Sequence, residues 1–246
     1  MLFSVSYREE VREKIIREAR EDKRIVAAAV VGSYASNKVD RWSDIDLTFA
    51  VGEEYSVSDV LQSWTDFAVK EFSALTLLDV QRGNTIYRVF ILPGCLQLDL
   101  SFSPAAEFGA IGGHFNLLYG KQYDRPQPKQ QPAEEIFGWM LHHILRARYC
   151  AERNKLWQAE LWISEARNYA LKLACIAGGL TPDYGRGFDE LPEDVLSLFK
   201  NSFVSCINKD EILRAVKTIA EALPNISKEV KGLTEKFGSV LNEISK

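Results

Sequence analysis

Two aspartates, Asp44 and Asp46, stand at the head of an apolar run, Ile45 to Val51, that otherwise reads as a buried strand. This interruption constrains the fold more than any other feature of the chain. Residues two apart on a strand project from one face, so both carboxylates point together while Ile45 turns to the core. Carboxylates held side by side repel unless a cation lies between them. Upstream, Arg24 to Val31 is a continuous apolar run that stops at Gly32, as a buried strand entering a turn does. Ser33 follows, and ten residues separate it from Asp44.

These types at this spacing suit a phosphate and a metal. Gly32 lets the backbone approach a phosphate closely, and Ser33 offers a hydroxyl and an N–H to the same oxygens. The spacing places those donors at a helix N-terminus, whose dipole favours anions. Paired hard-oxygen ligands suit Mg²⁺, which is commonly held by one or two carboxylates together with substrate phosphates. A third acid on a neighbouring strand completes a two-metal arrangement. Asp99, within the apolar strand pattern Cys95 to Phe102, is the first choice, and Asp79, near the end of the strand Ala74 to Val80, is its rival.

The remaining pattern organises the chain into two parts. A helix is expected over residues 6–22 as a cover, another over Val57 to Phe72 capped by Ser56 or Ser58, and a further strand over Thr85 to Leu92. Pro93 and Gly94 join that strand to Cys95–Phe102 as a hairpin, so the sheet is expected to be mixed. Three prolines and three glutamines in Tyr123 to Pro132 mark a linker. Helical patterns follow over Glu134–Arg153, Leu156–Ile176, Glu193–Cys206, Asp210–Leu223 and onward to about Ile244. The fold class expected is therefore α+β: residues 1–125 as a domain with a mixed sheet and flanking helices, residues 133–246 as a helical bundle.

Charge narrows the partners. The net charge of −4, with 14 basic and 18 acidic side chains in residues 1–125, argues against a nucleic-acid backbone as the main partner. No apolar run approaches the roughly 18 residues of a membrane span, and the charged N-terminus lacks a secretory pattern, so the expected location is cytoplasmic. Cys95, Cys150, Cys175 and Cys206 are widely spaced without a zinc pattern and read as buried free thiols.

Taken together, Gly32-Ser33, Asp44-Ile45-Asp46 and the strand acid Asp99 resemble the signature of the DNA polymerase β-like nucleotidyltransferase superfamily, over roughly Val26 to Phe102. The resemblance is greatest to the small bacterial enzymes that adenylylate aminoglycoside and lincosamide antibiotics and append a helical substrate-binding domain; it implies that residues 1–125 are the catalytic nucleotidyltransferase domain and residues 133–246 the substrate-binding one. It implies a Mg²⁺-dependent transfer of a nucleoside monophosphate, AMP from ATP, to a hydroxyl of a small acceptor, with release of pyrophosphate. Asp44 and Asp46 would hold two Mg²⁺ ions, Asp99 would bind the catalytic one and draw the proton, and Gly32 and Ser33 would cradle the triphosphate. It also implies antibiotic resistance as a biological setting and, by analogy alone, a homodimer.

In the helical half, the resemblance implies a carboxylate base, for which Glu160 is the choice; Glu160, Ser164 and Arg167 share a helical stripe that reads equally as a solvated ion-paired face. Trp157, Trp162 and Tyr169 are candidates for stacking on substrate or for the bundle core. His142 and His143 lack metal-ligand spacing, and Arg146, Arg148 and Lys155 are candidates to reach the triphosphate or plain solvated cations. Two other functions stay open: modification of a protein hydroxyl, as in antitoxin-type relatives, and a non-catalytic nucleotide-binding regulatory module, which the complete set of acids opposes.

Overall fold

The computed structural model describes residues 2–127 and 129–246. Two compact units divide the chain, Met1–Lys129 and Gln130–Lys246. The first begins with helix α1 (Val5–Glu21), capped by the Ser4 hydroxyl, which accepts from the Tyr7 N–H. Strand β1 (Ile25–Val31) runs into a single helical turn, α2 (Gly32–Ala35), and β2 (Ile45–Val51) follows. Helix α3 (Val57–Phe72) starts at Ser56, whose hydroxyl accepts from the Asp59 N–H. Strands β3 (Leu75–Arg82), β4 (Thr85–Leu92), β5 (Leu96–Pro104) and β6 (Phe115–Tyr119) complete a six-stranded sheet of order β3-β4-β5-β2-β1-β6.

The sheet is mixed because β2 and β5 run parallel while the other neighbouring pairs are antiparallel. Alternation along each strand sends one set of side chains to the helices: Ile45, Leu47 and Phe49 of β2 with Leu96, Leu98, Leu100 and Phe102 of β5 pack with Val11 and Ile15 of α1 and Trp64 of α3. Asp46 and Asp99 therefore fall on the opposite face. Pro93, Gly94 and Cys95 turn β4 into β5, with Gly94 at φ +75.

Three expectations are corrected here. Strand β6 was not anticipated, because five residues following the glycine-rich 109–113 segment give too short an alternation to recognise. Strand β3 reads as a buried strand in sequence, yet every one of its residues is exposed because it is the sheet's edge. Of the four thiols, Cys150 and Cys175 are buried, whereas Cys95 sits in the exposed β4–β5 turn and Cys206 in an exposed loop.

The second unit is helical: α4 (Ala133–Glu152), α5 (Leu156–Ala177), α6 (Glu193–Phe199), α7 (Lys209–Ala222), α8 (Lys228–Lys236) and α9 (Gly238–Ile244). Helix α6 stops at Phe199 and not at Cys206; a 3-10 turn over Lys200–Ser202 replaces its last part, tied by the Ser202 hydroxyl to the Phe199 carbonyl (2.6 Å). Its core gathers Phe137, Met140 and Ile144 of α4, Ile163 and Leu173 of α5, and Ile212, Val216 and Ile219 of α7. No helix among the described residues is long and apolar enough to cross a membrane.

Candidate active site

Parallel pairing of β2 with β5 sets Asp46 directly beside Asp99. Asp44 lies two residues before Asp46, just ahead of the strand, and one carboxylate oxygen from each of the three lies within 4.8 Å of the others. The rival acid, Asp79, is elsewhere: it pairs with Arg88 (2.6 Å), which also reaches Thr65 of α3 and so marks the helix-covered face. Burial pushes the Asp99 carboxyl up to about 6; hydrogen bonds from the Gln97 amide (3.0 and 3.1 Å) oppose this, and the charge of Asp44 adds to it. A cation between the three acids would relieve that electrostatic cost, so the donor set fits a hard divalent ion.

Gly32 is at φ +64, a conformation that disfavours any side chain, and a Cβ there would lie 2.1 Å from Oδ2 of Asp46. The space beside Gly32 is thus taken by a carboxylate of the acid cluster, a second reason for glycine besides approach to a phosphate. Ser33 follows with its Oγ buried and without a hydrogen-bond partner among the described residues. A hydroxyl in that condition costs about 1–3 kcal/mol, which a phosphate oxygen would remove. The expected helix N-terminus proves to be one turn, Gly32–Ala35, too short for a substantial macrodipole. The local donors, rather than a helix dipole, are what this bend offers an anion.

The loop that delivers Asp44 is built separately. Asp40 accepts from the Trp42 N–H (2.8 Å) and the Ser43 hydroxyl (3.0 Å), contacts that hold its carboxyl below the usual range. From α1, Arg8 donates to the carbonyls of Asp40 (2.6 Å) and Ser43 (3.1 Å) and is only 2% exposed. Its neighbour Glu9 accepts from Arg8, Arg12 and the Tyr34 hydroxyl, and the Arg8 and Arg12 guanidiniums lie 5.5 and 4.8 Å from the centre of the Tyr34 ring. Helix α1 is therefore more than a cover: it ties the Gly32–Ala35 turn to the acid-bearing loop. Charge alone hid this in the sequence, since Arg8 reads as a solvated residue; only its place on the buried stripe with Val11 and Ile15 (i, i+3, i+7) signalled otherwise.

Glu160 belongs to the second unit, on α5. It accepts from the Ser164 hydroxyl (2.8 Å), which in turn accepts from Arg167 (3.1 Å); Arg167 is buried, donates to the Ser202 carbonyl and lies over Phe203. His143 is sandwiched between Trp162 (5.1 Å between ring centres) and Trp139 (6.0 Å), and burial lowers its pKa. Of the two other aromatics named, Tyr169 packs against the second unit's core and Trp157 is 80% exposed. Arg146 lies over Trp162 and Arg148 pairs with Glu152.

One family model covers the Gly32–Ser33 bend and two of the three acids. Residues 13–92 match the family model described as polymerase beta, nucleotidyltransferase. No curated protein sequence matches. Among solved structures, an aminoglycoside 6-adenyltransferase from Bacillus subtilis is similar at 14% identity and TM-score 0.40, over 94% of this chain and 95% of that one. A nucleotidyltransferase-like protein from Exiguobacterium sibiricum 255-15 is similar at 12% identity and TM-score 0.40, over 89% of this chain and 75% of that one. The family match takes in Gly32, Ser33, Asp44 and Asp46, and Asp99, which lies just beyond the matched residues, converges with the two matched acids in the first unit.

Proposed function

We propose that the protein transfers AMP from ATP to a hydroxyl of a small acceptor and releases pyrophosphate. The observation that carries this reading is the convergence of Asp44, Asp46 and Asp99 beside the Gly32–Ser33 bend. Asp44 and Asp46 would hold two Mg²⁺ ions, with Asp99 as a further ligand. Bound there, Mg²⁺ supplies neutralisation of triphosphate charge and activation of the attacking oxygen. Ser33 donates to the phosphates of the leaving group, and Gly32 leaves room for them. The acceptor oxygen forms a bond to the α-phosphorus as the bond to the bridging oxygen breaks. Pyrophosphate carries away that electron pair, and Asp99 takes the hydroxyl proton. Much of the rate then comes from positioning and charge neutralisation.

The helical unit is read as the acceptor-binding domain, with Glu160 as a second base and an aminoglycoside-like cation as an acceptor suited to acidic surroundings. Purified protein incubated with Mg²⁺, ATP and a panel of hydroxylated acceptors, aminoglycosides among them, is expected to release pyrophosphate, with Asp46→Asn reducing the rate at least about 10³-fold. Transfer of label from ATP to a polypeptide and to no small molecule would move the acceptor to protein. Silence across nucleotides and acceptors would defeat the reading.

A further inference from the structure

The face of the sheet that carries the acids does not end at Asp99. Register continues the row outward: Asp46 pairs with Asp99, Asp99 with Val89 of β4, and Val89 with Leu78 of β3. In the next row Ser101 pairs with Tyr87 and Tyr87 with Val80; in the row on the other side Gln97 pairs with Ile91 and Ile91 with Leu75. Strand alternation places all of these on the acid-bearing face, because the intervening Phe90 and Leu92 are in the helix-covered core. Val89, Ile91 and Tyr87 are half-buried, while Leu75, Leu78 and Val80 are 70%, 47% and 39% exposed. With neighbouring strands about 5 Å apart and same-face rows about 7 Å apart, this is an apolar platform of about 5 by 14 Å between strand lines, starting one strand from Asp99.

An exposed apolar edge strand invites a second strand, and a second copy of the chain is the obvious rival occupant. The β3–β4 register, however, shifts between Thr76 and Leu78, leaving Leu77 as a bulge in the middle of the edge. The bulge breaks the regular run of backbone donors and acceptors that strand addition needs. It leaves the side-chain surface on the acid face continuous.

We infer that this platform seats the non-reacting part of the acceptor, and that the acceptor is therefore an amphipathic molecule with its hydroxyl about 5–10 Å from an apolar face. This inference rests on the reading of Asp44, Asp46 and Asp99 as the reaction centre. It keeps the transfer chemistry of that reading and replaces its aminoglycoside-like acceptor, since a wholly polar polycation would leave the platform wet. Val89 meets the part nearest the hydroxyl, Leu78 and Val80 the part farthest from it.

The test uses the full chain with Mn²⁺ and two hydroxylated probes, n-octyl β-D-glucopyranoside below its micelle concentration and methyl β-D-glucopyranoside. Mn²⁺ binding is measured first by water-proton relaxation, and relaxation of the probes' protons by bound Mn²⁺ second. The octyl probe is expected to bind at least about tenfold more tightly than the methyl probe, with its alkyl protons relaxed by the metal. Leu78→Asn with Val80→Asn, both at exposed positions, is expected to weaken the octyl probe about tenfold and leave Mn²⁺ affinity unchanged. Equal binding of the two probes, or an octyl affinity indifferent to the double variant, overturns the platform while Mn²⁺ binding keeps the metal site. Absence of Mn²⁺ binding instead defeats the reaction centre, and shifts of the Leu78 and Val89 amides on adding the octyl probe alone then read the platform independently. Concentration-dependent dimerisation abolished by the same double variant would assign the face to a second copy and overturn the proposal.

Discussion

Replacing Gly32 by alanine separates two costs that the structure places on one residue. Any side chain at φ +64 carries a backbone penalty of about 1–2 kcal/mol. Alanine also narrows the unfolded ensemble, which returns about 0.4–1 kcal/mol. Gly83, in the β3–β4 turn, supplies the control: at φ +60 with nothing within 4 Å of an added Cβ, it bears the same backbone terms and no contact. At Gly32 the added carbon would lie 2.1 Å from Oδ2 and 3.0 Å from Cγ of Asp46. Relief requires that carboxylate to move by about 1 Å, given carbon contacts near 3.5 Å and tighter ones to oxygen, at an off-rotamer cost of about 0.5–1.5 kcal/mol. Gly32→Ala should therefore unfold in urea at a stability lower than Gly83→Ala by about 1 kcal/mol. The larger effect should be on the metal: a ligand displaced by 1 Å is expected to cost about 10²-fold in Mn²⁺ affinity, read by water-proton relaxation, with Gly83→Ala unchanged. Equal stability losses in the two variants, together with wild-type Mn²⁺ affinity in Gly32→Ala, would refute the close approach and the assignment of Asp46 as a ligand.

Further outcomes follow from named contacts. Because burial raises the folded-state pKa of Asp99 from 3.8 to about 6, its ionisation opposes folding: the favourable contribution is whole below pH 3.8 and lost as pH rises through 6. Asp99→Asn should accordingly stabilise the metal-free protein at pH 8 by roughly 1 kcal/mol, a figure discounted for solvent screening, and should give no gain below pH 4 in urea melts. Arg8→Met leaves the carbonyls of Asp40 and Ser43 without their donor and is expected to cost about 3 kcal/mol, while Arg8→Lys recovers part of this and of the Mn²⁺ affinity. Glu160→Gln keeps an acceptor for Ser164 and removes only charge; as the acceptor's base, Glu160 would lose about 10²-fold in kcat, and an unchanged kcat would assign it to the Arg167 network.

What was legible in the sequence was local. The two-residue period of Asp44 and Asp46 and the glycine at a strand end are short-range signals, and the same alternation that sends Ile45 inward fixes where both acids point. That Asp99 and not Asp79 would lie with Asp44 and Asp46 was also legible, because Asp99, flanked by leucines in a strand pattern, interrupts an apolar run as Asp46 does. What escaped required partners. The burial of Arg8 depends on carbonyls 32 and 35 residues away, which no periodicity encodes. The exposure of β3 depends on its place at the edge of the sheet, and a run such as Leu75 to Val80 looks the same whether one strand flanks it or two. The break between α8 and α9 at Phe237–Gly238 is likewise quiet in sequence, where the charged pattern simply continues.

Two unsatisfied features of the first unit lie at the candidate site, and their chemical demands differ in sign. Asp99, held protonated to unusually high pH beside Asp44, calls for positive charge. Ser33, with its hydroxyl buried beside the bend, calls for a hydrogen-bond acceptor. A lone cation would answer the acids and leave the hydroxyl as it is; a lone phosphate would answer Ser33 and add negative charge beside three carboxylates. A divalent ion chelated by a triphosphate meets both demands together, because its charge faces the acids while its oxygens face the Gly32–Ser33 bend. The frustration that lowers the stability of the ligand-free fold is thus the same quantity that favours a metal–nucleotide complex over either component, and it resides in residues that the sheet and α1 already hold in position.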